Sequence, residues 1–336
     1  MYSSCSSTGC PAYRRALNGF QRAALWLGSA SFAACSGPGA VLSVPAAARD
    51  QSSTSATKAE PNEGSARSVD GRSAPMRVYV TNLLNNTVTT YKANGDRTVP
   101  TIRSGINSPR AIAVDAHGKI YVVNDGDNSV TTYLPNGVRT TPTIRGKGLN
   151  SPIGIATDAK GKIFVTNYGD NTLTTYDATG KRIDPTITSG LNKPYGVAVD
   201  ANGRIYVTNF GANDMTTYNA DGTKATPTIK RVYQPTGVAV DSNGKIYIAS
   251  LGDNMLLTYK MNGNIGRPII STGIGQPHFV ALNPEHDIYV ANYSLPPPNA
   301  PNVAVYSPHG KPKTTISTGL NGPVGIAISN PGGVTL

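Results

Sequence analysis

One phrase recurs six times along this chain: Pro-x-Gly-Ile/Val-Ala-Val-Asp-x-x-Gly-Lys-Ile-Tyr-Val-Thr-Asn, with Thr-Thr-Tyr soon after it. Its anchor prolines are Pro109, Pro152, Pro194, Pro235, Pro277 and Pro323, spaced 43, 42, 41, 42 and 46 residues apart. The aromatic residue of the second half returns at Tyr79, Tyr121, Phe164, Tyr206, Tyr247 and Tyr289. A fixed period of this length means that one supersecondary unit is repeated, and it limits the fold more tightly than any other property of the sequence.

The third unit shows what is being repeated. Ile153–Thr157 is a short apolar run. Asp158–Gly161 is a turn, with Asp able to accept a backbone N–H two residues on and Gly free to take a positive φ. Lys162–Thr166 is β-branched and aromatic, as a strand prefers. A second turn cluster, Asn167–Asn171, precedes the alternating Thr172–Tyr176. After Asp177–Gly180, Pro185–Thr188 reads as a fourth strand, its leading Pro suited to an edge. Four strands in about 42 residues leave no space for a helix, so each unit is one antiparallel blade of a β-propeller, strands a to d running outward from the axis.

The ends of the repeat are complementary. Arg77–Asn82 is a b strand with no a strand before it, and Pro323–Ser329 is an a strand with no b strand after it. Pairing them closes a ring of six four-stranded blades, the carboxyl-terminal strand completing the amino-terminal blade and no seam left open. Over residues 76–329 the repeat resembles the NHL-repeat family of six-bladed propellers.

Three regions follow: 1–35, 36–75 and the propeller at 76–336. Arg14, Arg15 and Arg22 precede the apolar Ala23–Ala34, which has the length of a signal-peptide core and is too short to span a bilayer. Phe32-Ala33-Ala34-Cys35 resembles a bacterial lipobox, with Phe32 where Leu is usual. The resemblance implies lipidation at Cys35, and Ser36 after it resembles outer-membrane-bound lipoproteins. Cleavage after Ala46-Ala47-Ala48 is the rival reading and would release a soluble periplasmic or secreted protein. The Arg14-Arg15 pair fits twin-arginine export poorly. Residues 50–74 are rich in Ser, Ala, Thr and charge without apolar period and read as a tether. All three cysteines, Cys5, Cys10 and Cys35, precede that tether, so the propeller depends on packing rather than disulfides.

The net charge of +11 is spread singly along the blades. No run of Lys and Arg is interleaved with aromatics, which argues against nucleic acid. An exported basic protein meets anionic lipid, glycan or peptidoglycan surfaces instead.

Residues that recur in every blade are assigned to architecture. Asp115, Asp158, Asp200 and Asp241 share a turn position, with Asn283 in blade six. Asn82, Asn124, Asn167, Asn209 and Asn292 share another, with Ser250 in blade five. A ring of Asn could offer oxygens to Ca²⁺, but blade-by-blade recurrence favours each Asn tying down its own b–c turn. Tyr91, Tyr133, Tyr176, Tyr218, Tyr259 and Tyr306 end the c strands and read as packing between blades. Positions where blades differ are the candidates for a site. The residues after the anchor prolines are Arg110, Ile153, Tyr195, Thr236, His278 and Val324. They should stand at the channel mouth, joined there by Asp125, Tyr168, Phe210, Leu251 and Tyr293 from the b–c turns. Arg110, Asp125, Tyr168, Tyr195, Phe210, His278 and Tyr293 are the predicted ligand-binding set, a cup with aromatic walls suited to a peptide or a sugar. In blade six, His278-Phe279 replaces x-Gly, and Ser294–Pro301 lengthens the b–c connection with a stiff Pro-rich stretch.

Enzymatic propellers provide the contrasting expectation. Resemblance to gluconolactonase-like propellers would imply a divalent metal on an inner-strand Glu with Asn and Asp, but Glu285 alone is available and falls in an a–b turn. The repeat layout is distantly similar to that of virginiamycin B lyase, which implies Glu and His near a metal. The peptidylglycine amidating lyase propeller needs several His on one metal. Here His278 alone is on the mouth face. His117 and His286 fall in a–b turns and His309 in a c–d turn. No nucleophile elbow, propeller cysteine or carboxylate pair is visible. The expectation is therefore an exported, monomeric envelope protein without cofactor or metal, binding an envelope peptide, protein or glycan and attached to the membrane through Cys35. The alternative is a metal-dependent lyase or lactonase-type hydrolase with His278 as its catalytic residue.

Overall fold

The computed structural model describes residues 75–294 and 300–329. Residues 1–74, on which the expected signal peptide, Cys35 and the expected tether fall, and Leu295–Asn299 of the Pro-rich connection lie outside the described residues. Residues 75–329 form six antiparallel sheets arranged as a propeller. Blade one is Pro323–Ser329, Arg77–Asn82, Thr87–Lys92 and Arg97–Ile102, in that spatial order. The expected closure is present: Val78 pairs with Ile328, Tyr79 with Ala327 and Val80 with Ile326. Blades two, three, four and six repeat the a–b–c–d order, with a strands at Pro109–Val114, Pro152–Thr157, Pro194–Val199 and Pro277–Leu282. In blade five, Pro235–Val240, Ile246–Ser250 and Met255–Tyr259 are regular, while the outer segment is held by two isolated bridges, Leu256 to Ile270 and Tyr259 to Ile265.

The fourth strand begins earlier than its proline suggests. In blade three it runs Arg182–Ile187, and Pro185 sits inside it at a register shift, following a cis peptide bond. The shift keeps the Pro from breaking the ladder, and the Pro185 carbonyl instead accepts the Thr175 hydroxyl at 2.6 Å.

The b strands are buried on both faces and hold the largest core side chains. Their aromatic ends fasten the a–b turns. Asp115 Oδ1 accepts the N–H groups of His117 and Lys119, each at 2.9 Å, and its Oδ2 accepts the Tyr121 hydroxyl at 3.0 Å. The same phenol-to-Asp bond recurs from Tyr206 to Asp200 and from Tyr247 to Asp241. Burial first, then the neighbouring carboxylate, pushes these phenols up from their ordinary range, so they remain donors at every accessible pH. Blade three carries Phe164 instead. Tyr121→Phe is expected to cost about 1 kcal/mol, the net value of one such bond, and Phe164→Tyr to gain a similar amount through Asp158. Urea denaturation of the two single variants checks the opposite signs.

The c-strand tyrosines do pack between blades, as expected, and most of them also hold the preceding blade. Tyr91, Tyr133, Tyr176, Tyr218 and Tyr306 donate their hydroxyls to backbone carbonyls of Thr318, Ser104, Lys147, Ser189 and Thr272. At the axis, the inner strands of blades three and four approach their neighbours so closely that only Gly fits two residues after the proline. A Cβ on Gly154 would land on the Tyr195 carbonyl oxygen, and one on Gly196 on that of Thr236.

Candidate functional site at the channel mouth

The d–a and b–c connections meet on one face, because their backbones bond each other blade by blade. Tyr168 N–H donates to Ser151 O, Phe210 to Lys193 O and Tyr293 to Gln276 O, at 3.1–3.2 Å. Two sets of asparagines stitch this face. The end-of-strand-b set does more than hold its own turn. Asn124 donates through Nδ2 to Ser129 and Thr131, and its Oδ1 accepts the N–H of Asn107 from the d–a connection. Its amide is thus committed to the protein on both sides. The second set was not singled out from the sequence. Asn86, Asn128, Asn171, Asn213 and Asn254 have left-handed backbones and accept, through Oδ1, the N–H before the next blade's anchor proline at 2.6–2.8 Å. Asn tolerates that conformation better than most residues.

On this scaffold the predicted residues come together. Arg110 donates from Nε and Nη2 to Asp125 Oδ2 at 3.2 and 3.1 Å. Tyr168, Phe210, Tyr195, His278 and Tyr293 form a continuous run of rings. Successive centroids are 6.3, 6.0, 6.0 and 5.5 Å apart, each pair tilted or edge-on as aromatic quadrupoles prefer. Of the row after the prolines, only Arg110, Tyr195 and His278 join these contacts. Ile153, Thr236 and Val324 are buried, and the Thr236 hydroxyl donates to Pro277 O at 2.9 Å. Unlike side chains after the proline are therefore not by themselves a rim, since half of them pack inward.

Two residues complete the mouth beyond the predicted set. Phe279 stands where four of the other inner strands carry Gly and blade two carries Ala111, and its buried ring reaches Tyr195 of blade four at 5.6 Å between centroids. The pair closes the shaft from the mouth side. Lys193, on the left-handed residue before Pro194, places its ammonium 5.6 Å from the Tyr168 ring centre. Phe279 is visible in the sequence as a break in the repeat. Lys193 carries no comparable signal, because that position varies between Ser, Lys, Gln and Gly.

Below the plug, a cavity of about 120 Å³ follows the axis, lined by the last three residues of the inner strands, among them Ala113, Ala156, Ala198, Ala239 and Ala281. None of the predicted mouth residues lines it, so the cavity is separate from the mouth.

The electrostatics at the mouth define its chemistry. Burial pushes the Tyr195 phenol up to about 12, so Tyr195 keeps its proton, and its hydroxyl is hydrogen-bonded to His278 Nδ1 at 2.6 Å, with the direction set by the imidazole tautomer. Burial, reinforced by the Arg110 guanidinium, lowers His278 to about 3. His278 is consequently neutral, one ring nitrogen a donor and the other an acceptor, and a poor general base near neutral pH. Among the described residues, no three His, Cys, Asp or Glu side chains converge as a metal site. The sign of the pH dependence follows. The folded state holds His278 neutral where an unfolded His protonates, so its contribution to stability is complete above about 6.5 and erodes as pH falls toward 3. His278→Phe is expected to flatten the stability-versus-pH curve between those limits, measured by denaturant midpoints across pH 3–7.

No protein-family model and no curated protein matches the chain. Many solved structures share its architecture. A chain of the nidogen/laminin complex is 17% identical with a TM-score of 0.65, covering 76% of this chain and 99% of that one. A protein of unknown function from Bacteroides caccae is 12% identical with a TM-score of 0.64, covering 76% and 99%. A catalytically inactive virginiamycin B lyase from Staphylococcus aureus with quinupristin is 14% identical with a TM-score of 0.57, covering 74% and 84%. At these identities the likeness is one of fold, and the fold it shows is the six-bladed propeller.

Proposed function

We propose that this chain is an exported cell-envelope interaction protein of NHL-like type that presents its channel mouth to an envelope peptide, protein or glycan. One observation supports the mouth as the binding surface: five rings from blades three, four and six, together with the Arg110–Asp125 pair from blade two, are gathered on one face by loops whose backbones are already bonded to each other. Aromatic and Arg side chains on a rigid frame are what binding hot spots are made of. Export and anchoring through Cys35 rest on the amino-terminal sequence. The propeller of a nidogen/laminin complex shares the fold, which fits a propeller acting as a binding module. The lyase neighbours bring a second function to the same fold, but a histidine held neutral down to about pH 3 favours binding over proton transfer.

The test replaces Arg110, Tyr195, His278 and Tyr293 together and compares capture of partners from envelope extract. The proposal expects the wild-type partners to be lost from a variant whose circular dichroism is unchanged. Unaltered capture would leave the mouth without a role. Intact-mass measurement of membrane-extracted protein decides the anchor: a diacylglycerol-modified chain starting at Cys35 is expected, and an unmodified chain starting after Ala48 would replace lipidation with soluble export.

A further inference from the structure

Given the mouth-face reading above, on which this step rests, we infer that the ligand is a glycan and that the mouth receives one terminal pyranose ring. Three features of the mouth narrow the ligand class.

The first is what the mouth does not offer. A peptide bound by its main chain needs unpaired N–H and C=O groups on the receptor, usually a sheet edge. Here the connections that surround the mouth spend those groups on each other: Asp125, Tyr168, Phe210, Leu251 and Tyr293 all donate their N–H to the adjacent d–a connection. Recognition is left to side chains. The Phe279–Tyr195 plug also prevents an extended chain from entering the shaft, so the ligand caps the axis rather than threading it.

The second is the polar set. Both bonds from Arg110 converge on Asp125 Oδ2. Asp125 Oδ1 and Arg110 Nη1 have no protein partner among the described residues, which leaves one acceptor and one donor side by side. A hydroxyl both donates and accepts, so a pair of neighbouring sugar hydroxyls satisfies both groups, whereas a carboxylate would meet the Asp125 charge. The Tyr195 hydroxyl occupies His278 Nδ1, so Nε2 is the ring nitrogen left for a further hydroxyl, which can donate or accept as the tautomer requires.

The third is shape. The partly exposed rings of Tyr168, Phe210, His278 and Tyr293 run past the buried Tyr195, successive centroids being 5.5–6.3 Å apart, and make an apolar wall on which a saccharide ring can lie. The C–H face of a pyranose covers such a wall, and its hydroxyl edge points to the polar pair. Surfaces of this kind combine apolar coverage with a few placed polar groups.

Saturation-transfer NMR tests the inference, using chitotriose, maltotriose and a tri-galacturonate as sugar probes and an Ala-Glu-Lys peptide as the contrasting probe. The expected result is saturation concentrated on one terminal ring of at least one sugar, with affinity falling at least tenfold in Tyr293→Ala and in Arg110→Gln. Tyr168→Ser serves as a second variant if either misfolds. Capture from envelope extract separates the two levels of the reading. Cup-dependent capture abolished by periodate and unaffected by protease supports a glycan. Cup-dependent capture that survives periodate and is lost to protease, or saturation of the peptide with none of any sugar, overturns the glycan and leaves the mouth as the binding surface. Capture indifferent to the four-residue replacement overturns both.

Discussion

Ending the chain at Gly322 is expected to abolish cooperative folding of the whole propeller, not to loosen one blade. The strand removed, Pro323–Ser329, is the inner strand of blade one, and five backbone registers join it to Arg77–Asn82. Its loss uncovers Val78, Tyr79 and Val80, all at most 1% exposed. It also removes the Gly325 N–H that donates to the Thr81 hydroxyl at 2.7 Å, the same hydroxyl that donates to Arg110 O of blade two at 2.7 Å. The deleted strand also packs against the inner strands of blades two and six, so both lose a neighbour at the axis. Returning Val324, Ile326 and Ile328 to water costs on the order of 1.5–3 kcal/mol each. Together that approaches the whole net stability of a typical domain, about 5–15 kcal/mol. The truncated protein should show no sharp thermal transition by circular dichroism and should bind a hydrophobic dye at room temperature. A cooperative melt within a few degrees of the full chain would mean that the ring is held by its other interfaces, and that closure by the last strand is dispensable.

That closure was legible without coordinates because the repeat is phase-shifted: a b strand stands first and an a strand last, and only circular pairing uses both. The blade count, the strand order and the face carrying the variable loops followed from the same period. The contents of the mouth followed less completely. Arg110 and His278 are partly exposed at it, but Tyr195, Ile153, Thr236 and Val324, equally unlike one another in sequence, are buried. A small register irregularity after each proline lets side chains at the same repeat position turn either way, and period-two patterning cannot resolve that. The Arg110–Asp125 pair and the Tyr195–His278 bond join residues 15 and 83 apart in the chain, and only the ring brings the second pair together. Likewise the Asn at the end of each b strand looked like a local turn residue, because its partner 17 residues earlier lies across a connection that the sequence does not show to be adjacent.

That misjudged asparagine carries the second large effect. Asn167 is fully buried. Its Nδ2 donates to Thr172 and Thr174 hydroxyls at 3.0 and 3.1 Å, and its Oδ1 accepts Asn150 N–H at 3.2 Å. Alanine deletes all three bonds and leaves a peptide N–H facing a small void that no other acceptor reaches. The hydroxyls lose less, since Thr172 also donates to Asp170 and Thr174 to Tyr176. An orphaned buried donor costs about 1–3 kcal/mol, and with the lost amide bonds Asn167→Ala should destabilise by about 3 kcal/mol. Because Asn150 begins the connection that bonds Tyr168 and Gly169, hydrogen exchange should rise at those amides before it rises in the b strands. Blade five supplies an internal control. There Ser250 occupies the same position, donating to Tyr233 O and bonding Asp253 Oδ2, both at 2.8 Å. Blade three has Asp170 at the spacing of Asp253, so Asn167→Ser should recover about 1 kcal/mol relative to alanine. Guanidinium denaturation of the two variants decides it. A cost below about 1 kcal/mol for alanine, or serine no better than alanine, would mean that these asparagines are turn residues after all and that the mouth loops are held by their backbones alone.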